Sequence, residues 1–196
     1  MNQQFKDIDI NIAASLEKLA QVQRVLLWDV AKKENLSPIQ IQFMIFLNRH
    51  SDDLRRVSVL AKEFDLTKAT VSDAISNLVE KGLLVKNSKK EDKRSFNIDL
   101  TSKGKGLLKK LKNWQDILLA RIYRLSNKDK ETIYLFLIEL IKHLFDEGVI
   151  NVARMCTACS NLQKESKGKA YRCDLTGRRF DNEEINFNCN YFKSSQ

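Results

Sequence analysis

A mainly α-helical fold with one small β-hairpin and a short cysteine-bearing tail is what the 196 residues predict, on three observations. Apolar residues recur at helical spacing over most of the first 150 positions, and one proline with six glycines leaves little to interrupt long helices. Between residues 57 and 101, two short helical stretches run into a charged loop flanked by alternating apolar positions, the pattern of two helices and a hairpin. All four cysteines fall after residue 155, in a segment too poor in apolar side chains to fold on a core of its own.

The elements follow in order. A first helix is expected over residues 8–33, where Ile12, Leu16, Leu19, Leu26 and Val30 recur at spacings near three, four and seven. Ser37-Pro38-Ile39-Gln40 restarts the chain: Ser37 caps, Pro38 suits the first helical position and Gln40 completes a capping box. Ile41, Met44, Phe46 and Leu47 then lie along the second helix. Ser58 is the expected N-cap of a short third helix, with Val59, Leu60 and Phe64 inward. Thr67 caps a fourth, in which Val71, Ala74, Ile75, Leu78 and Val79 share one face. Ala69, Thr70, Ser72, Asp73, Ser76 and Asn77 occupy the other face or its flanks, small and polar enough for close approach to a ligand surface.

Gly82 supplies the positive φ that ends this helix. Leu83-Leu-Val85 opens one strand, and Phe96, Ile98 and Leu100 alternate along its partner across the basic loop 89–94. Thr101 and Ser102 offer caps for a single further helix carrying Leu107, Leu108, Leu111, Trp114, Leu118 and Ile122. Ser126 starts the last helix, which leads into residues 133–149. Its apolar side chains point in several directions, which predicts burial on more than one side and, most economically, against a second copy of the chain.

The net charge of +9 is uneven. Residues 1–36 sum to 0, 37–112 to +7, 113–150 to −1 and 151–196 to +3. Positive charge concentrated on the helix-and-hairpin segment is the footprint of a phosphate-binding surface. The opening Met1-Asn-Gln-Gln-Phe-Lys6 lacks an apolar leader. The most apolar run, residues 133–145, is broken by Glu139, Lys142 and His143 and falls short of the roughly 20 residues that span a bilayer. The expectation is a cytoplasmic protein with no membrane partner. Catalysis is not expected: only His50 and His143 are present, with no glycine-rich phosphate loop and no nucleophile–base pattern, and His143 is expected to pack within its helix.

Two helices, a sharp helix end and a charged hairpin, in that order, read as a winged helix-turn-helix, a module that lays its second helix in the major groove of DNA. The residues that carry this resemble the MarR family of bacterial transcription regulators over residues 8–149. They are Leu60-Ala61, Thr70-Val71-Ser72, Leu78-Val-Glu-Lys-Gly-Leu83, Asp92-Lys93-Arg94, then Leu100-Thr101 with Lys103-Gly104. The resemblance implies a triangular homodimer that binds a pseudo-palindromic operator in double-stranded DNA, usually as a repressor. It implies recognition-helix roles for Thr67, Lys68, Ala69, Thr70, Ser72, Asp73, Ser76 and Asn77. Arg94 becomes the minor-groove residue, oriented by Asp92, and Lys89, Lys90 and Lys93 meet phosphates. Asp73 departs from relatives that carry a basic residue there; a carboxylate accepts from cytosine but is repelled by phosphate. Family members often sense small aromatic compounds between the dimer helices and the winged domain, a crevice that Trp28 and Trp114 would line unless they serve the core.

The chain therefore divides into an N-terminal dimerisation helix (1–36), a winged helix-turn-helix DNA-binding domain (37–102), C-terminal dimerisation helices (103–150) and a four-cysteine tail (151–196). Cys156, Cys159, Cys173 and Cys189 give a C-x2-C-x13-C-x15-C spacing with no histidine nearby. Four thiolates suit tetrahedral Zn²⁺, the leading expectation, or an iron–sulfur cluster. A thiol–disulfide switch and cysteines that merely pack are the other readings. A redox or iron–sulfur sensor, or an electron carrier built on these thiols, is the alternative function for the chain, and a ribbon-like tail that docks a protein partner is a third.

Overall fold

Seven α-helices and two small antiparallel sheets make up the computed structural model of the chain, which describes residues 5–89, 92–164 and 170–195, with 88–89 and 92–95 described by backbone alone. Helix α1 (Asp7–Lys33) is exposed for most of its length, and only Leu27 and Ala31 near its end are buried. Helix α2 (Pro38–Arg49) starts at Ser37, which accepts from the Gln40 N–H while Gln40 returns the bond to the Ser37 N–H, so the expected capping box is formed. Six of the twelve residues of α2 are buried, which makes it the central strut of the first core.

Helix α3 (Val57–Glu63) departs from expectation at its start. Arg56, not Ser58, is the N-cap: its carbonyl already accepts from the Val59 and Leu60 N–H groups, so Ser58 lies inside the first turn. Helix α4 (Lys68–Glu80) is capped by Thr67 as expected, and Val71, Ile75 and Leu78 are fully buried beneath it. Gly82 has φ +68° and leads into β1 (Leu84–Lys89), which pairs with β2 (Asp92–Leu100) from Leu84↔Leu100 outward.

Thr101 caps α5 (Ser102–Leu111). The single helix expected here is in fact two. The chain turns at residues 112–115 before α6 (Asp116–Tyr123), and Trp114 in that turn packs against the first core. The apolar spacing continues in phase across the break, which is why periodicity alone conceals it. Helix α7 (Asn127–Asp146) starts at Ser126 and stops where Gly148 adopts φ +71°. His143 is exposed on α7 rather than packed.

The tail adds a three-stranded antiparallel sheet, β3 (Leu162–Lys164), β4 (Ala170–Cys173) and β5 (Arg179–Asp181), in that order. A second buried cluster forms where Met155, Ala158, Phe180 and Ile185 of the tail meet Ile138 and Phe145 of α7. Burying a large apolar side chain contributes roughly 1.5–3 kcal/mol, so the tail borrows from α7 the core that it lacks by itself. This revises the expectation for α7: one of its apolar faces is covered by the chain's own tail, while Ile133 and Phe136 remain exposed on another.

Candidate nucleic-acid interface and thiolate cluster

The first turn of α4 is the most open part of the helix-turn-helix. Thr67, Lys68, Ala69, Thr70 and Asp73 are all exposed there. The Thr67 hydroxyl accepts from the Thr70 N–H at 3.1 Å and lies 2.9 Å from the Thr70 hydroxyl, so the turn is rigid where it protrudes. Ser72, Ser76 and Asn77 are half-buried along its sides. Asn77 is turned inward: its Oδ1 accepts from Nε2 of buried Gln40 at 2.9 Å, tying α4 to α2. Ser76 accepts from Lys86 Nζ at 3.3 Å, which joins the helix to the first strand of the wing.

The base of the hairpin is anchored by residues that the motif alone did not single out. Arg55 donates to the His50 carbonyl at 2.9 Å, to Asp52 at 2.9 Å and to Asp99 at 2.7 Å. Asn87 donates to the other oxygen of Asp99 at 2.7 Å, and the Ile98 N–H donates to the Arg55 carbonyl at 2.9 Å. The wing is thus clamped to the loop before α3. Of the wing-tip candidates, Lys90 lies outside the described residues, as do the side chains of Lys89, Asp92, Lys93 and Arg94. Gly104 has a clear structural reason. A Cβ there would lie 2.2 Å from the Leu83 carbonyl oxygen, so only glycine lets α5 approach the strand start.

Cys156, Cys159, Cys173 and Cys189 line one small cavity of about 40 Å³, with Asn161, Leu162 and Thr176 beside them. Cys156 and Cys159 sit at the two ends of a single 3₁₀ turn, closed by the Cys159 N–H donating to the Cys156 carbonyl at 3.0 Å. Cys173 ends β4 and heads a tight turn in which the Gly177 N–H donates back to its carbonyl at 2.8 Å. Cys189 is drawn in by its N–H donating to the Arg154 carbonyl at 3.1 Å. The Asn186 and Lys193 N–H groups donate to the sulfurs of Cys156 and Cys159 at 3.4 and 3.5 Å. Burial pushes the Cys156 thiol up, and the other three cysteines add to that shift; the Thr176 hydroxyl holds Cys173 down. Among the described residues, no three Cys, His, Asp or Glu side chains are already gathered as a metal-ligating group. The all-sulfur donor set, the shared cavity and the N–H donors to sulfur nonetheless fit a thiophilic ion, which would draw the thiols inward.

The tail also reaches the helix-turn-helix. The buried Arg154 guanidinium pairs with Glu63 of α3 and lies 5.6 Å from the Phe46 ring centroid. Asn151 donates to Asp65, and the Ser51 N–H donates to Asn190 at 3.2 Å. No spacing rule announces these pairs in the sequence. A weak signal existed in Glu63, a carboxylate beside the inward face of a seven-residue helix.

Comparison with known proteins agrees with this architecture. Residues 34–95 match the MarR family model. The HTH-type transcriptional repressor YetL of Bacillus subtilis is 30% identical over 93 residues, which cover 42% of this chain and 56% of that protein. The chain therefore spans little more than half the length of that curated relative. A crystal structure of a Staphylococcus aureus MepR–DNA complex superimposes with a TM-score of 0.58 at 20% identity, covering 72% of this chain and all of that one. A MarR protein from Peptoclostridium difficile gives 0.61 at 20% identity over 75% and 95% of the two chains. With its helix-turn-helix, its hairpin and its glycine at the strand–helix approach, the chain shares the winged helix-turn-helix fold of these structures, and its residues 34–95 are similar to the MarR family.

Proposed function

We propose that this chain is a dimeric, sequence-specific DNA-binding transcription regulator of the repressor type, and not an enzyme. The observation that carries the reading is the capped first turn of α4, where Lys68, Ala69, Thr70 and Asp73 stand exposed beside a wing clamped to the same domain. That turn sits on the segment holding most of the positive charge, as phosphate contact requires. Arg94 and Lys89, Lys90 and Lys93 are assigned to the groove and backbone by the motif they occupy.

Dimerisation is supported by large apolar side chains left in solvent on three helices: Ile8 and Val25 of α1, Ile117 and Tyr123 of α6, Ile133 and Phe136 of α7. Two copies would pair these faces and present two α4 helices to a pseudo-palindromic site. A small aromatic effector would enter between these helices and the winged domain; Trp28 of α1 is exposed, whereas Trp114 is half-buried on the first core. None of the described helices is long and apolar enough to cross a membrane, and a reducing compartment such as the cytoplasm suits four free thiols.

The four thiols are read as a metal centre, with zinc first and an iron–sulfur cluster second. When bound, the metal would staple a small unit by cross-linking both ends of the tail, with Cys156, Cys159, Cys173 and Cys189 as its ligands. Metal analysis with an absorption spectrum of protein purified without air separates zinc from a cluster.

The regulator reading is tested by selecting duplexes from a random pool and measuring affinity against salt. The expected result is a pseudo-palindrome with half-sites about one helical turn apart, a steep fall of affinity with salt, and weaker binding by Arg94→Ala, most for A·T-rich flanks. Binding with no sequence preference, or a monomer in solution, overturns it.

A further inference from the structure

Arg154 is bonded to both functional units of the chain at once. Its carbonyl accepts from the Cys189 N–H at 3.1 Å, two residues before Cys156, so its backbone belongs to the thiol-bearing frame. Its guanidinium, 8% exposed, pairs with Glu63, 13% exposed, at the end of α3, and so belongs to the helix-turn-helix. Its backbone sits at φ +36°, a left-handed conformation that a non-glycine residue holds only where its surroundings impose it. Those surroundings are the frame around the thiols. Two further bonds straddle the same helix pair: Asn151 to Asp65, in the turn that precedes Thr67, and Asn190, next to Cys189, to the N–H of Ser51.

We infer that Arg154 is a positioning residue through which the state of the four-thiol centre sets the order of α3 and of the turn entering the recognition helix. The inference rests on the reading of the thiols as a metal centre and of α4 as a DNA-reading helix. With the thiols cross-linked, residues 154–156 and 189–190 form one rigid frame, and the strained Arg154 backbone is held in place. Without the cross-link, that backbone relaxes to its ordinary region, the guanidinium leaves Glu63, and residues 57–67 lose their ties at Glu63 and Asp65 together with the one at Ser51 before them. DNA binding then has to order that segment again, so the metal-free protein binds its operator more weakly. The route runs by direct contact within one chain and needs no change in the dimer helices.

The test uses the full-length dimer under reductant without air, loaded with Zn(II) or stripped by chelation, with amide hydrogen exchange and operator affinity read in parallel. Wild type is expected to show faster exchange over residues 57–67 on stripping and an operator Kd about tenfold higher, within the usual range of allosteric coupling. Arg154→Met is expected to bind Zn(II) normally yet show the weaker affinity in both states. Because a single substitution leaves Glu63 buried and unpaired, the double variant Arg154→Met with Glu63→Gln is the second arm: folded, Zn(II)-binding and insensitive to it at the operator. A Zn(II) response of wild-type size in the double variant, wild-type exchange indifferent to Zn(II), or a chain that takes up no Zn(II) overturns the inference. Zn(II)-dependent exchange in a protein that binds no duplex upholds the clasp and overturns the regulator reading instead.

Discussion

Replacing Arg55 by methionine asks whether the wing stands by itself or is held by the loop before α3. The cost follows from the partners. Asp52 is 76% exposed and three residues away, so that pair contributes close to nothing. Asp99 matters more, since Arg55 and Asp99 are only 24% and 28% exposed and meet at 2.7 Å. The carboxylate keeps the Asn87 donor and some water, so its loss falls short of the roughly 3–5 kcal/mol for a fully buried pair. A charge-assisted hydrogen bond contributes about 1.5–3 kcal/mol, and the His50 carbonyl loses a donor as well. The sum is near 2 kcal/mol. At about 2–4 °C per kcal/mol for a chain of this length, Tm should fall by roughly 4–8 °C. Thermal unfolding by circular dichroism reads this directly, and adding Asp99→Asn should recover part of it by removing the stranded charge. An Arg55→Met protein melting within about 1 °C of wild type refutes the clamp. If that protein also binds its operator poorly, Arg55 touches DNA instead of the wing.

Gly104→Ala should be among the most damaging single-methyl additions, costing about 3 kcal/mol or more, because the new Cβ meets a backbone carbonyl that cannot step aside. Gly106→Ala, two residues on with nothing within 4 Å, should be neutral or stabilising by up to about 1 kcal/mol; equal melting of the two variants would undo the argument. His50 supplies a pH dependence. Burial pushes its imidazole below the ordinary value of 6.5, with the Arg154 and Arg49 charges adding to the effect. The unfolded chain then binds a proton that the folded chain refuses, so this contribution is complete above pH 6.5 and is lost as pH falls below it. Urea midpoints should therefore drop between pH 7.5 and 5.5 in wild type and drop less in His50→Phe; parallel curves would exclude His50 as the cause.

What could be read from the sequence is what local chemistry marks. The box at Ser37 and Gln40 and the cap at Thr67 are local devices, and each formed where the sequence indicated. Gly82 and the strand alternation after it are equally local. The order of such signals was enough to identify the winged module. The capping of α3 was misread because Arg56 caps through its main chain alone, and main-chain caps leave no residue signature. The buried and open faces of α4 were legible as sets, but not the inward turn of Asn77, which depends on Gln40 from another helix. Long-range polar pairs were illegible for the same reason. Arg154 and Glu63 stand 91 residues apart, Ser51 and Asn190 139 apart, and no period connects them.

Helix α7 shows where a correct pattern leaves its cause open. Side chains apolar on several faces do announce burial on several sides, but an apolar face carries no label for what covers it. Here Ile138 and Phe145 are covered by Met155, Ala158, Phe180 and Ile185 of the tail, and Tyr134 reaches the Ile185 carbonyl at 2.5 Å. Ile133 and Phe136 face elsewhere and stay exposed. One helix thus has two surfaces, one that covers the tail and one left exposed, where the proposed dimer would form. On the proposed dimer, a change in the tail's grip on α7 would reach the dimer face as well as α3. The two routes are separable because they use different residues: Arg154 and Asn151 on one, Met155 and Ile185 on the other. A substitution that loosens only the second, Ile185→Ala, should lower the dimer's midpoint on dilution while leaving the exchange of residues 57–67 as it was; faster exchange there would mean that the tail moves as one body and the routes are one.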